Sequence, residues 1–471
     1  MDMRGDRVEE LRMEGQKNAI FNQEIPMDVI MPCRVDEGIV QLNSEQKQHF
    51  AAHFKACQRS LSFFIPASGS GSRMFQFLYE FLDAPHALNQ AETERFFSQI
   101  TSFALFRKLP AHIQESVLNF DMNIEDFIHY LLDEEGMNFG QYPKGLIPFH
   151  FNPPFLLNPF QEQLIQGSEL TGAPIQFHFT IQMIYEKAFQ EAIELLIQMT
   201  GQKYLVTYSE QDPKTNAYLF DEGQNLVCDS TGKAIMRPAG HGTLLSNLAH
   251  MNSDYVLVKN IDNLQHFTKS KPTNIEWEVL VGMLDEVRSA FHQMYVSPSK
   301  SKLMELNAMY QFISKEELEE MQTDDEIKEL VNRPLRVCGM VRNEGQPGGG
   351  PFFVRKNNKI RKQIVEKSQL SSHPNAGNLM MQSTHFNPVM MALSMKDFDG
   401  GNYDLQAFKD SEGYIVLEKT IKGKKVKFME NPGLWNGGMA FWNTIFVEIP
   451  NEVFTPVKTV LDLLHPAHQA E

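Results

Sequence analysis

The sequence predicts an α/β core interrupted by helical insertions, and three observations point to it. Between 143 and 263, short apolar runs of strand length alternate with helix-length stretches. Two long stretches, 76–140 and 274–332, carry helical patterning throughout. Glycine-rich loops punctuate the chain where strand-like runs end or begin.

Taken in order, residues 1–60 read as an N-terminal helical segment, with SEQKQHFAAHFKACQRS from Ser44 spacing its apolar residues near a period of 3.6. LSFFIP, Leu61 to Pro66, is a short apolar run that reads as a buried strand, followed by the turn ASGSGS and a helix start near Met74. Within 76–140, NIEDFIHYLLDEEG opens on a capping Asn123 and closes on Gly136. IQFHFTI from Ile175, KYLVTYS from Lys203 and DYVLVKNID from Asp254 read as strands, with a helix over Gln182 to Thr200 between the first two. Residues 334–450 return to strands, and a last helix is expected at about Val457 to Leu464. At 471 residues the chain has room for about three domains. Without internal repeats or low-complexity linkers, the expectation is one core over 61–450, flanked by 1–60 and a C-terminal helix and tail over 451–471.

Composition excludes several classes. A net charge of −16 repels phosphate backbones and anionic lipid on average, so nucleic acid and membrane surfaces are not expected partners, and any phosphate must be held locally. Cysteines at 33, 57, 228 and 338 are too sparse for a disulfide framework or a thiolate zinc site. The N-terminus has no signal-like apolar run, and nothing approaches the roughly 18 apolar residues of a membrane span. A cytoplasmic protein is expected. The 35 phenylalanines are assigned to core packing.

Five constellations have the makings of chemistry. In PASGSGSRMF, Gly69 and Gly71 let backbone N–H groups approach phosphate oxygens, and Arg73 offers a charge-assisted fork, although such turns also serve as plain connections. In QYPKGLIPFH, Lys144 stands on a turn between Pro143 and Gly145, as a compact phosphate partner or an exposed turn residue. In RPAGHGTLLSNL, Gly240 and Gly242 would allow a flat ring against backbone, with His241 between them. Asp262 ends the DYVLVKNID strand, where a carboxylate suits a divalent cation shared with phosphates, or caps the next helix. The C-terminal third adds VRNEGQPGGGPFF, where glycines followed by Pro351 argue against a central strand, and then Glu366, Asn378 and NPGLWNGGMAFWNT.

In this order the motifs resemble the nucleotide-sugar pyrophosphorylases of the UDP-N-acetylhexosamine and UDP-glucose type. PASGSGSRM is similar to that family's glycine-rich signature, PKGL to its lysine motif, RPAGHG to its PPGGHG or PDGNG loop, and KNIDN to its metal-binding strand end. IVEKSQL and NAGN followed by HF are similar to VVEYSEL and NAGNIANHF. The chain as a whole also resembles a bacterial group of nucleotidyltransferase-like proteins that supplies no substrate.

The resemblance implies a doubly wound, Rossmann-like sheet of the nucleotide-diphospho-sugar transferase type. It also implies a reaction in which a nucleoside triphosphate, UTP favoured, and a sugar 1-phosphate give a nucleotide sugar and pyrophosphate with Mg2+. Arg73, Lys144 and Asp262 would then be catalytic. Ala67, Ser68, Gly69, Gly71, Ser72, Gly240, His241 and Gly242 would hold the nucleotide. Gly349 or Gly350, Glu366, Asn378 and Lys419 would meet the sugar phosphate, and Asp262 with Asn436 the metal. In that family the glycine loop and the lysine motif lie close together, whereas 70 residues separate Arg73 from Lys144 here, so a helical insertion must loop out and return. The alternative is a noncatalytic nucleotide-sugar binding or regulatory protein. A glycosyltransferase would want Asp-x-Asp, and Asp262-Asn263-Leu264 does not supply it.

Overall fold

The structure is a computed structural model and describes residues 3–22, 27–84, 87–172, 174–345, 348–370, 373–421 and 424–470. The chain is mixed α/β and divides into two compact units. The larger comprises Met1–Arg59, Gln211–Val256 and Leu280–Ile449, the smaller Ser60–Glu210, Leu257–Val279 and Pro450–Glu471. Among the described residues no helix is long and apolar enough to cross a membrane.

In the smaller unit, Leu61–Pro66 is a strand buried along its first five residues, as a continuous apolar run requires of a strand covered on both faces. It pairs in parallel with Gln176–Thr180, which pairs in parallel with Leu205–Ser209, and Tyr255–Lys259 flanks it on the other side. Parallel neighbours need a crossover, and the helix Glu186–Thr200 supplies it. That helix turns Phe189, Ile193 and Leu196 inward and ends on Gly201 at φ +69°, a left-handed cap that suits glycine.

The stretch 76–140 is helical as expected. Asn123 accepts from the Asp126 N–H and caps the helix Ile124–Leu132. Its helices share a phenylalanine-rich core, with Phe75, Phe77, Phe96, Phe103, Phe127 and Phe139 packed together with Val457, Val460 and Leu463. Much of the phenylalanine surplus thus serves this one insertion. Over Val457 to Leu464, the expected helix is only a 3₁₀ turn, Val460–Leu464. Its capping by Thr459 and the burial of Val460, Leu461 and Leu463 fix it as a short wedge in that core.

The larger unit holds a mixed sheet. Gly38–Val40 and Leu335–Arg342 both run parallel to Asn443–Glu448, while Met390–Ser394 runs antiparallel to Leu335–Arg342. The helical expectation for 1–60 holds for Met3–Phe21 and for Ser44–Ala56, which is capped by Asn43 in a box with Gln46. It fails between them, where Asp28–Pro32, Arg34–Val35 and Gly38–Val40 are strands. Asp28–Pro32 pairs with 352–355 and Gly38–Val40 with 446–447, far outside any local window, and Arg34–Val35 joins them by pairing with Gly38–Ile39.

Pro351 also departs from expectation. Gly350–Lys356 is the central strand of a three-stranded sheet between Asp28–Pro32 and Lys359–Val365. The register explains the tolerance: pairing with the first strand ends at Pro32 opposite Phe352, and the Pro351 carbonyl accepts from Cys33 just beyond it. The missing donor therefore falls where that ladder stops. Gln346 and Pro347 of the preceding loop lie outside the described residues.

Candidate functional site

The smaller unit builds its site on backbone. After Leu61–Pro66 the chain passes through Ala67 to Gly71, and the Ala67 N–H is fixed by the Thr180 carbonyl at 2.8 Å. Gln182, just past the neighbouring strand, donates to the Ser68 carbonyl at 2.7 Å. The loop then meets the lysine motif directly: the Gly71 N–H donates to Tyr142 O at 2.9 Å and the Lys144 N–H to Gly69 O at 3.0 Å. The 70 intervening residues do loop out and return. Gly71 is required by close packing, since a Cβ there would lie 2.3 Å from Ile147 Cδ1 and 2.8 Å from Phe139 O. Its N–H, committed to Tyr142, is not available to a ligand. Gly69 has open space around it.

Lys144 begins a 3₁₀ turn after Pro143, and its side chain is 13% exposed. Its Nζ donates to Asp262 Oδ2 at 2.7 Å and to the Val457 carbonyl. Asp262, three residues past the strand Tyr255–Lys259, is equally enclosed. A second ammonium, Lys458, reaches the same Oδ2 at 3.2 Å from a half-exposed position. The Val457 N–H donates to the Asp262 carbonyl at 3.0 Å and sets the C-terminal strap against this segment.

Burial works against the Asp262 carboxylate, but the two ammonium groups outweigh it and hold its pKa below the usual carboxylate range. For Lys144 burial pushes the pKa down and Asp262 opposes it. Arg73 stands exposed two residues after Gly71, with no ion pair among the described residues. Ser72 is bonded to Ser70, hydroxyl to hydroxyl, at 3.0 Å.

Asp262 has no neighbouring acid cage: among the described residues no group of three His, Cys, Asp or Glu is placed to hold a metal. Both ammonium contacts fall on Oδ2. One carboxylate with its other oxygen uncommitted fits a magnesium ion held largely by substrate phosphates, which is how Mg2+ commonly binds.

The larger unit brings a second set of expected residues together. Gly240 has φ +75° and ψ −179°, a conformation open essentially to glycine alone. A Cβ on Gly242 would lie 2.0 Å from Pro432 O. Between them, His241 stacks on Trp435 with ring centroids 4.0 Å apart. Its Nδ1 accepts from the Leu434 N–H at 2.9 Å, so in the neutral ring Nε2 carries the proton and donates to Glu366 Oε1 at 3.1 Å. Both ring nitrogens are therefore committed, and the two glycines answer to packing against Glu430–Pro432. Arg336, fully buried, donates to the Trp435 carbonyl at 2.6 Å and steadies the stack from behind.

Gly350 lines a cavity of about 250 Å3 with Lys367, Ser383, His385 and Phe386, and Gly349 precedes it, its carbonyl accepting from Asn387. Asn378 is exposed on the helix Ala376–Gln382. Asn436 is fully buried: its Nδ2 donates to Gln369 at 3.0 Å and its Oδ1 packs on Gly433, where a Cβ would lie 1.8 Å away. Lys419 is exposed on a hairpin strand above the Phe428 ring. The second ammonium at Asp262, Lys458, sits in VFTPVKTV and carries no local signal beyond a lone lysine in an apolar stretch.

A family model described as "Domain of unknown function (DUF4301)" matches residues 2–469. No curated protein matches the chain. Among solved structures, the chain is similar to a protein designated UDP-N-acetylglucosamine pyrophosphorylase from Entamoeba histolytica, at 13% identity and a TM-score of 0.45 over 88% of this chain and 80% of that one. It is also similar to a UDP-glucose phosphorylase from Trypanosoma brucei, at 12% identity and a TM-score of 0.43 over 97% of this chain and 73% of that one.

Proposed function

We propose that this chain, which belongs to the family described as domain of unknown function DUF4301, is a sugar-1-phosphate nucleotidyltransferase that works with Mg2+. The observation that supports this reading most is the meeting of the glycine loop, Lys144 and Asp262. Three segments far apart in sequence put two ammonium groups and one carboxylate beside a glycine turn at the ends of parallel strands. The motif order described above points to the same reaction.

In this reading a phosphate oxygen of the sugar 1-phosphate attacks the α-phosphorus of the nucleoside triphosphate, UTP favoured. The bond from that phosphorus to the bridging oxygen breaks, and pyrophosphate leaves with the electron pair. No side chain acts as nucleophile. Lys144, fixed by Asp262 and the Val457 carbonyl, offers a preorganised charge for the α-phosphate. Lys458 is exposed enough to turn from Asp262 to a phosphate, which makes it a second candidate beside Lys419 for the sugar phosphate. Arg73 is free to reach the outer phosphates. Bound on Asp262, Mg2+ would neutralise charge on the phosphates.

The test is pyrophosphate release on mixing the protein with nucleoside triphosphates, a panel of sugar 1-phosphates and Mg2+. The proposal expects release that needs both substrates. Nucleotide binding with no release across the panel favours the binding protein instead.

A further inference from the structure

We propose that Glu162, His150 and His468 form a buried hydrogen-bonded chain that fastens the C-terminal strap Thr455–Lys458 and so fixes Lys458 beside Asp262. The inference rests on the reading of Lys458 as a phosphate-binding cation, and makes the three residues positioning residues for it.

Glu162 and His150 have fully enclosed side chains and lie 2.6 Å apart, Oε1 to Nδ1. A carboxylate in that setting costs several kcal/mol unless it is paired and hydrogen-bonded. Glu162 is both, since Gln166 also donates to its Oε2 at 2.9 Å. The other His150 nitrogen, Nε2, meets His468 Nδ1 at 3.0 Å. The same network reaches the strap by a second route: Gln166 donates to the Gln265 carbonyl at 2.7 Å, and Gln265 donates to Thr455 Oγ1 at 3.0 Å.

The strap is laid down residue by residue. The Thr455 N–H donates to Asn263 Oδ1 at 3.1 Å, Thr455 Oγ1 to the Leu264 carbonyl at 3.0 Å, and the Val457 N–H to the Asp262 carbonyl at 3.0 Å. Beyond it, the Ala467 and Pro466 carbonyls accept from the His266 N–H and the Lys269 ammonium, both at 2.9 Å. His468 thus closes a loop whose other end carries Lys458.

Proton bookkeeping gives the chain a direction. His468 bonds the Thr455 backbone. Because the Thr455 N–H already goes to Asn263, its carbonyl is the partner and His468 must donate to it. Burial, and then the neighbouring His150 and His465, push the His468 pKa down to about 3, so its ring is neutral and accepts at Nδ1. His150 Nε2 then donates to His468, while its Nδ1 and Glu162 Oε1 share the next hydrogen bond of the chain. Other titratable groups facing the chain are His266, His465, Glu169, Lys259 and Lys269.

The test uses the full chain. In His468→Ala, amide exchange over Thr455–Leu463 is expected to quicken by about tenfold, the consequence of losing a buried hydrogen bond that closes a local unit. Exchange in the helix Glu186–Thr200 should stay at the parent rate and so reports intact folding. Acylation of Lys458, scaled to the exposed Lys187, should rise as its pairing with Asp262 loosens. His468→Gln, which keeps one donor, should lie between parent and alanine variant. With a productive substrate pair, KM for the sugar phosphate should rise more than kcat falls.

Parent-like exchange and Lys458 reactivity in His468→Ala would overturn the proposal. So would nitrogen NMR of the unmodified protein showing no hydrogen-bonded proton between His150 and His468, a measurement that needs no variant. Altered exchange without nucleotidyl transfer upholds the fastening and sinks the activity. Transfer with unaltered exchange does the reverse.

Discussion

The Lys144–Asp262–Lys458 cluster of the smaller unit and the His241–Trp435–Glu366 nest of the larger one are both made from turns and loops, yet they are held by different forces. In the cluster, full charges meet in a nearly enclosed place, with Lys144 and Asp262 at 13% and 11% side-chain exposure. In the nest, a flat ring on an indole and two hydrogen bonds do the positioning, and its one ion-pair candidate is over a quarter exposed on each side. A buried charge whose partner is removed has no solvent to fall back on, whereas a half-exposed one does. The cluster should therefore be brittle, and the nest forgiving.

The sharpest way to break that contrast is Asp262→Asn. It leaves Lys144 enclosed without a counter-charge and removes the candidate metal ligand, so turnover should fall by about 10²-fold or more. The same change should lower stability by about 3 kcal/mol in urea titration. Glu366→Gln in the nest should cost well under half of that stability. Comparable losses for the two variants would erase the distinction.

Gly71→Ala probes the backbone under the cluster. The added methyl meets Ile147 and the Phe139 carbonyl, so the glycine loop must part from the lysine turn, at a cost of about 1–3 kcal/mol. Gly69→Ala, in open space, should leave the melting temperature nearly unchanged. In the nest, Trp435→Leu should cost about 1 kcal/mol through loss of the aromatic pair.

Acid sharpens the comparison further. Asp262 is held below the ordinary carboxylate pKa, so its contribution is complete at neutral pH and fades only as pH falls through that lowered value. His468 has a folded pKa of about 3 against an ordinary 6.5. The unfolded chain therefore binds the extra proton first, and stability should decline as pH falls from about 6.5 toward about 3. Chemical denaturation of parent and His468→Ala across this range should show a steeper decline for the parent. The titratable groups that act on His468, namely His150, His465 and His266, belong to the same smaller unit.

Much of the smaller unit was legible in the sequence because its signals are local. An apolar hexamer before a glycine turn reads as Leu61–Pro66, and a capping asparagine opens Ile124–Leu132 where periodicity places it. The parallel strands and the helix joining them follow from alternation alone. What escaped is what depends on distant partners. Asp28–Pro32 becomes a strand through pairing with residues more than 300 positions away, and the same sheet tolerates Pro351 only because of where that pairing stops. Motif order flags Lys144 and Asp262, but Lys458 has no motif of its own. His150, Glu162 and His468 are single residues whose chemistry exists only once the fold assembles them.

Calorimetric titration of the protein with a nucleoside triphosphate, with and without Mg2+, tests the central claim most directly. The account predicts binding that strengthens with Mg2+ in the parent and loses that dependence in Asp262→Asn, with further weakening in Lys144→Met. Equal affinity with and without the metal, unchanged in both variants, would contradict it.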